Sequence, residues 1–335
     1  MRHRSLFLVG SVLLMSLSMV ALCQSVAAAP AQKVEFPEKG RTINFIINQP
    51  AGGPTDLAFR ALATVMEKDL GVSIVIVNRP GATGQVGTTE LVRSKPDGYT
   101  IGNTNLPSTI NNYLEPDRKA VFGRKDLQQV ANQVVDPETL NVRADSPFKT
   151  LKDLVDAAKA NPEGVRLATS GQLGNDHMAA MLFQKTAGIR FRFIHFDGGA
   201  PTINALLGGH VDVVSSTAGT PTAHFRSGAI RYLGIMEKEP SPLFPGVPTY
   251  ESQGYKLYFA SSRGISVRAG TPKEVVEILA GAVKRAMESE VVKSRMETLG
   301  LVQRYMGPDE YTKYWDEFEA QTKPLLEELL KEQQK

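Results

Sequence analysis

The chain has 335 residues, with 38 Lys and Arg against 35 Asp and Glu, one cysteine and a formal charge of +3. This balance leaves no basic stripe for nucleic acid, and a single thiol excludes an internal disulfide. The length suits two domains of ~150 residues, each large enough to bury its own core.

The chain opens with MRHRS, continues as the apolar run LFLVGSVLLMSLSMVALC and reaches Ser25-Val26-Ala27-Ala28-Ala29-Pro30. A basic start, an apolar middle and a small-residue exit predict a secretory signal peptide. Cleavage after Ala28 puts Val26 and Ala28 at the small-residue positions, and Leu22 is too bulky to precede a lipidated Cys23. Loss of residues 1–28 removes Cys23, Arg2 and Arg4, leaving a thiol-free chain of near-neutral charge with no second long apolar run. The expected location is the periplasm.

From Arg41 onward, strand and helix patterns alternate. INFII predicts a strand, and Leu57, Ala61, Leu62, Val65 and Met66 at helical spacing predict a helix from Leu57 to Leu70, ended by Gly71. VSIVIVN reads as a strand, TTELVRSK as a short helix, Lys95-Pro96-Asp97-Gly98 as a turn and YTIGNTN as the next strand. A second series begins where Thr150 caps LKDLVDAAKAN, with Asp153 three residues on. The strands VRLATS, RFRFIHF, VDVVSST and AIRYLGIM then alternate with helices over 176–186, in TINALLGG and in PTAHFRSG. Four prolines between Glu239 and Pro248 mark a rigid loop, KLYFASSRGISV is strand-like, and helices follow from Thr271-Pro272 to Glu288 and over 309–334. Strands alternating with helices predict an α/β fold of two lobes, each a mainly parallel sheet flanked by helices. Lobe 1 is expected over 41–143 plus 257–335 and lobe 2 over 144–256, with crossings near Val142 and Tyr258.

The strand-to-helix turns QPAGGPTD, NRPGATGQVG, NTNLPST, TSGQLGNDH, DGGAPT and SSTAGTPT are filled by Gly, Ser, Thr and Asn. Such turns converge at the carboxyl ends of strands and offer backbone N–H groups and hydroxyls to a small anion. Candidate contacts from them include Gln49, Thr104, Ser216 and Thr217, and Asp56 either caps its helix or holds a water. Neither G-x-x-x-x-G-K-[ST] nor G-x-G-x-x-G is present, so no nucleotide cofactor is expected. G-x-S-x-G and H-E-x-x-H are absent too, and the pairs His195/Asp197 and His210/Asp212 supply too few ligands for a closed metal site. His177, at a helix start, faces the expected cleft. Arg79 reads as a structural brace and Arg263, in SSRG, as a carboxylate contact.

With QPAGGPTDLAFRAL, VNRPGATGQVGTTELVRSKPDGYTI, GGAPTINALLGGHVDVV, LFPGVPTYESQGY and AGTPKEVVEIL in order, the chain resembles the Bug-type solute-binding receptors of tripartite tricarboxylate transporters. The resemblance implies a type II-like, monomeric periplasmic binding protein that closes on a small carboxylate and passes it to membrane components of the transporter. It carries Ala51, Gly52, Gly53 and Asp56 into the first ligand turn, Ser170, Asn175, Asp176 and His177 into a second, and Gly199, Ala200 and Pro201 into a third. Two features depart from the family pattern: Asn175-Asp176 replaces small residues before the histidine, and an aromatic commonly seen in the late strand is replaced within FASSRG. An acid at position 176 would repel a carboxylate unless it turns away. A ligand sensor for a signalling partner and an exported enzyme acting on a small acid are the alternative readings.

Overall fold

The computed structural model describes residues 35–333, so the expected signal peptide and Cys23 lie outside the described residues. Strands β1 (Ile43–Ile47), β2 (Ile74–Asn78) and β3 (Thr100–Leu106) pair in parallel in the order β2-β1-β3. Helix α1 (Pro54–Leu70) joins β1 to β2 and α2 (Gln85–Arg93) joins β2 to β3. The first helix starts earlier than its apolar periodicity indicates. Gly53 is its N-cap in extended conformation, Pro54 supplies a preset φ at the first helical position, and Gly71 ends it at φ 68°.

The second parallel group is β7-β5-β6, made of β5 (Arg166–Thr169), β6 (Arg192–His195) and β7 (Val213–Thr217). The two groups are joined by β4 (Leu127–Arg143) and β9 (Ala260–Arg268), which run antiparallel to each other. β9 lies beside β3, while β4 carries β7 and β8 (Ile230–Ile235) on its second half and β10 (Gln303–Met306) on its first. The sheets are therefore parallel where helices cross over and antiparallel at the joining strands. β4 changes partners within one peptide: Pro137 faces Ala260 of β9, and Glu138 faces Thr217 of β7. That changeover lies within β4, a few residues before Val142.

β4, β10, α3 (Ser108–Leu114) and α9 (Glu290–Leu299) are absent from the elements predicted by the sequence pattern. The reason is clearest for β4, where Gln129, Asn132, Gln133, Asp136, Glu138 and Asn141 are all buried and no alternation survives. In α4 (Leu151–Ala160) the Thr150 hydroxyl accepts from Asp153 N–H, and the Asp153 carboxylate accepts in return from Thr150 N–H.

α10 (Pro308–Gln333) packs on both lobes. Tyr311 and Trp315 fill the core of the first with Ile46, Leu106 and Met306, whereas Leu326 and Leu329 pack on Leu173, Met178 and Met181 around α5 (Asn175–Ala187). Gly264 of β9 leaves room for the buried Tyr311, because a Cβ there would overlap the phenol ring. Gly264→Ala is expected to destabilise the protein by about 1–3 kcal/mol through overpacking. Urea denaturation measures this, and an unchanged midpoint would show that the ring moves aside freely.

Candidate functional site

A cleft with about 370 Å³ of room lies where the strand-to-helix turns of both lobes meet, a size within the range of small-molecule sites. Gln49, Ala51, Gly52, Gly53, Ser170, Asn175, Asp176, Gly199, Ala200, Pro201, Thr217 and Arg263 all line it. Asp56, Thr104, His177 and Ser216 sit behind its wall, and each has a structural occupation.

Asp56, 1% exposed, braces the first turn. Its Oδ2 accepts from Gly52 N–H at 2.9 Å and Arg60 Nε at 2.8 Å, and its Oδ1 accepts from Asn78 Nδ2, which also donates to Gln49 O. Burial pushes its carboxyl up, but the Arg60, Gly52 and Asn78 hydrogen bonds prevail and hold it below its ordinary value. The turn divides its roles between two glycines. Gly52 needs its freedom, with φ at 81°, whereas Gly53 has an ordinary φ of −75° and a Cβ there would meet nothing nearer than Pro50 O at 3.6 Å.

Thr104 points away from the cleft, toward Ser266 Oγ at 3.0 Å and Tyr311 Oη at 3.3 Å. Its neighbour Asn105 lines the cleft instead, since successive strand residues face opposite sides. His177 is buried edge-on against Phe193 and His195, and its Nδ1 accepts from Leu173 N–H at 3.0 Å. Burial, with help from His195, pushes its pKa down to about 3, so it stays neutral and fixes the turn. Ser216 Oγ accepts from Asn141 Nδ2 at 2.9 Å.

The 170–176 wall is held by carboxyl groups. Asp176 Oδ2 accepts from Ser170 N–H at 3.1 Å and from Ser170 Oγ, while Asn175 Nδ2 donates to Asp176 Oδ1 and to Glu138 Oε1. Arg263, 4% exposed, ion-pairs with Asp136 through Nη2, which also reaches Thr217 Oγ1 at 3.1 Å. Burial raises the pKa of all three acids: Asp136 against the pull of Arg263, Asp176 to about 6, and Glu138 well above the usual range with added repulsion from Asp176. Asp136 and Glu138 escaped the sequence reading because nothing marked β4 as passing beneath the cleft.

Other lining residues that the sequence reading did not propose as ligand contacts are Asn48, Thr83, Asn105, Ser108, Asp197, Thr220 and His224, of which Asp197 is weighed there only as a metal ligand. Thr83, Asn105, Ser108, Asp197 and Thr220 fall within turns whose composition had pointed to the site. Beside the cleft, the lobes are bonded to each other. Asn111 Nδ2 donates to Leu173 O at 2.8 Å, and Arg118 Nη2 donates to Gln172 O, while Arg118 Nη1 holds Ala82 O of its own lobe at 3.2 Å. Pro50 and Gly198 also approach closely: a Cβ at Gly198 would lie 3.1 Å from Pro50 Cγ.

Comparison with known proteins gives a consistent assignment. The family model described as "Tripartite tricarboxylate transporter family receptor" matches residues 58–330. The UPF0065 protein in the gbd 5′ region of Cupriavidus necator is 31% identical over 316 residues, covering 92% of this chain and 93% of that protein. The structure of periplasmic binding protein BugD is 27% identical with a TM-score of 0.78, covering 88% of this chain and 98% of that one. MatC from Rhodopseudomonas palustris with bound malate is 25% identical with a TM-score of 0.79, covering 87% and 100%. These neighbours confirm the two-lobed α/β architecture of periplasmic binding proteins.

A carboxyl that keeps its proton to higher pH when folded than when unfolded stabilises the fold at low pH. Between about pH 4, where an unfolded Asp ionises, and about pH 6, where folded Asp176 does, the native state holds a proton the unfolded chain has lost. Stability therefore falls as pH rises through that window, by on the order of 3 kcal/mol from this group, and the loss is complete above it. Asp176→Asn is expected to flatten the fall by removing both this proton and the charge that pushes Glu138 up. Thermal melts of the two proteins from pH 4 to 8 test it; parallel curves would mean that Asp176 ionises normally in the fold.

Proposed function

The chain belongs to the tripartite tricarboxylate transporter receptor family, and from that premise we propose that it captures a small carboxylate-bearing metabolite outside the inner membrane and delivers it to a tripartite-type transporter. The observation that carries the reading is the β1–α1 turn. Ala51, Gly52 and Gly53 line the cleft at the start of a 17-residue helix, Asp56 fixes the turn from behind, and no side chain blocks the approach to Gly53. The helix N-terminus supplies unpaired N–H groups and the positive end of the dipole, a suitable seat for a carboxylate. Malate bound by MatC shows a relative holding this chemistry.

In this reading the protein acts as a monomer in the periplasm, without a cofactor and without catalysis. Segments 41–143 plus 257–335 and segment 144–256 close on the ligand as two bodies, with β4 and β9 as the joints. The bonds from Arg118 to Gln172 and from Asn111 to Leu173 are then the latch of the closed state.

Gly53→Val is expected to weaken carboxylate binding by more than about tenfold, or ~1.4 kcal/mol, because the added methyls stand where the ligand must approach. The ligand-free melting temperature should change little, since the backbone at Gly53 is ordinary and its surroundings are open. Calorimetric titration alongside thermal melts separates the two; an undiminished affinity in the folded variant would remove the turn from the site. Arg118→Ala should act on the latch, accelerating ligand release about tenfold while association changes little. Stopped-flow release at the wild-type rate would count against closure.

A further inference from the structure

We propose that the ligand carries a protonated nitrogen as well as its carboxylate, as an amino-acid-like zwitterion does, and that Asp176 is the counterion of that nitrogen. The proposal rests on the reading that the 49–53 turn holds the carboxylate, and it adds the chemistry of the ligand's other end.

The side chains of Ser170, Asn175 and Asp176 have no hydrogen left to offer the cleft. The Ser170 hydroxyl donates to Asp176 Oδ2, and the two amide hydrogens of Asn175 go to Glu138 Oε1 and Asp176 Oδ1. Ser108 is engaged as well, donating to Asn175 Oδ1 at 3.2 Å and accepting from Asn175 N–H at 3.3 Å. An ionised carboxylate has about four acceptor sites, and Asp176 fills three of them with Ser170 N–H, Ser170 Oγ–H and Asn175 Nδ2. The remaining site and the lone pairs of Ser170 Oγ are free to accept a donor from the ligand. A second carboxylate would bring only acceptors.

A separate residue asks for the same chemistry. Asn48 lines the cleft at 3% exposure, and its Nδ2 donates to Asn103 O and Thr88 Oγ1, yet its Oδ1 has no partner. Leaving a buried acceptor unpaired is unfavourable, and a donor on the ligand relieves it.

Charge points the same way. Among the described residues lining the cleft, the ionisable side chains are Asp176, Asp197, His224 and Arg263. The single guanidinium is ion-paired with Asp136 through Nη2, leaving its buried Nη1 without a hydrogen-bond partner, and Glu138 stands directly behind Asn175. A dicarboxylate would add negative charge to a wall of acids. An ammonium group would meet the acid with opposite sign in a site sheltered from water.

The test is calorimetric titration of the mature protein with length-matched pairs, glutarate against 5-aminopentanoate and succinate against 3-aminopropanoate, together with L-glutamate and L-aspartate. At least one amino-bearing acid is expected to bind about tenfold or more tighter than the dicarboxylate of its length, and Asp176→Asn is expected to abolish or invert that preference. Asp176→Ser repeats the charge removal with a smaller side chain, and ligand-free melts confirm that each variant is folded. The proposal is overturned if the dicarboxylates bind as tightly as their partners, if neither variant changes the ratio, or if no member binds at millimolar concentration. Gly53→Val separates the two readings. Should it leave both members of a pair untouched while Asp176→Asn still changes their ratio, the carboxylate seat is wrong and the counterion stands; should it weaken both members while the ratio never favours the amine, the seat stands and the counterion is wrong.

Discussion

Arg263 and Asp136 form an ion pair in which both side chains are almost wholly buried, at the point where β4 and β9 run between the lobes. Removing one partner of such a pair commonly destabilises a protein by about 3–5 kcal/mol, because the other charge is left in a poor dielectric. The pair therefore holds the antiparallel β4–β9 ladder at its weakest register, close to Pro137, which has no N–H to give. Two residues along β4, Glu138 meets Asn175, and Asn175 meets Asp176. A single chain of contacts thus runs from the joint of the lobes to the cleft surface. A change in charge at Asp176 is felt at Glu138, whose proton affinity depends on it, and Glu138 lies where β4 changes sheets.

Much of this architecture is legible in the sequence because most elements obey one rule at a time. The apolar spacing of α1, the capping pair Thr150/Asp153 and the short strand INFII each carry a local signal that tertiary structure does not override. β4 carries two conflicting duties: it pairs on both edges and hides amides and carboxylates beneath the cleft, so neither alternation nor a continuous apolar run appears. The same reason separates the site residues that reach the cleft from those that do not. Turn composition finds the right loops, but which side chain of a loop faces inward depends on backbone detail. Thr104 and Asn105 differ only by the strand's alternation, and His177 is drawn inward because the Leu173 amide, at the positive φ of 55°, needs an acceptor.

Asp56 and Asp176 show how one residue type serves two ends. Each stands early in a helix that opens from a cleft turn and accepts a backbone N–H from that turn, Gly52 in one case and Ser170 in the other. Yet Asp56 has Arg60 as a direct cationic partner and is held in its charged form, whereas Asp176 has no cation among the described residues bonded to it and feels Arg263 against the opposing charges of Asp136 and Glu138. The first acid is a fixed anchor, already neutralised. The second retains an unmet demand for positive charge.

A receptor must also release what it captures, which limits how strongly any one contact can hold. Neutral N–H groups at a helix terminus favour an anion by only about 0.3–1 kcal/mol through the dipole, far less than a buried guanidinium clamp. Arg263 cannot act as a two-pronged clamp because Asp136 and Thr217 already occupy its Nη2, which leaves Nη1 without a partner among the described residues. Affinity must then come from several modest contacts gathered from both lobes, and each of them is lost when the lobes part. Ala51–Gly53 come from one lobe and Ser170–Asp176 from the other, so in the proposed closure, parting the bonds of Arg118 to Gln172 and Asn111 to Leu173 would remove half of the site at once. The placement of the acids and the modest strength of each contact are thus two consequences of building the cleft from strand-to-helix turns on separate bodies.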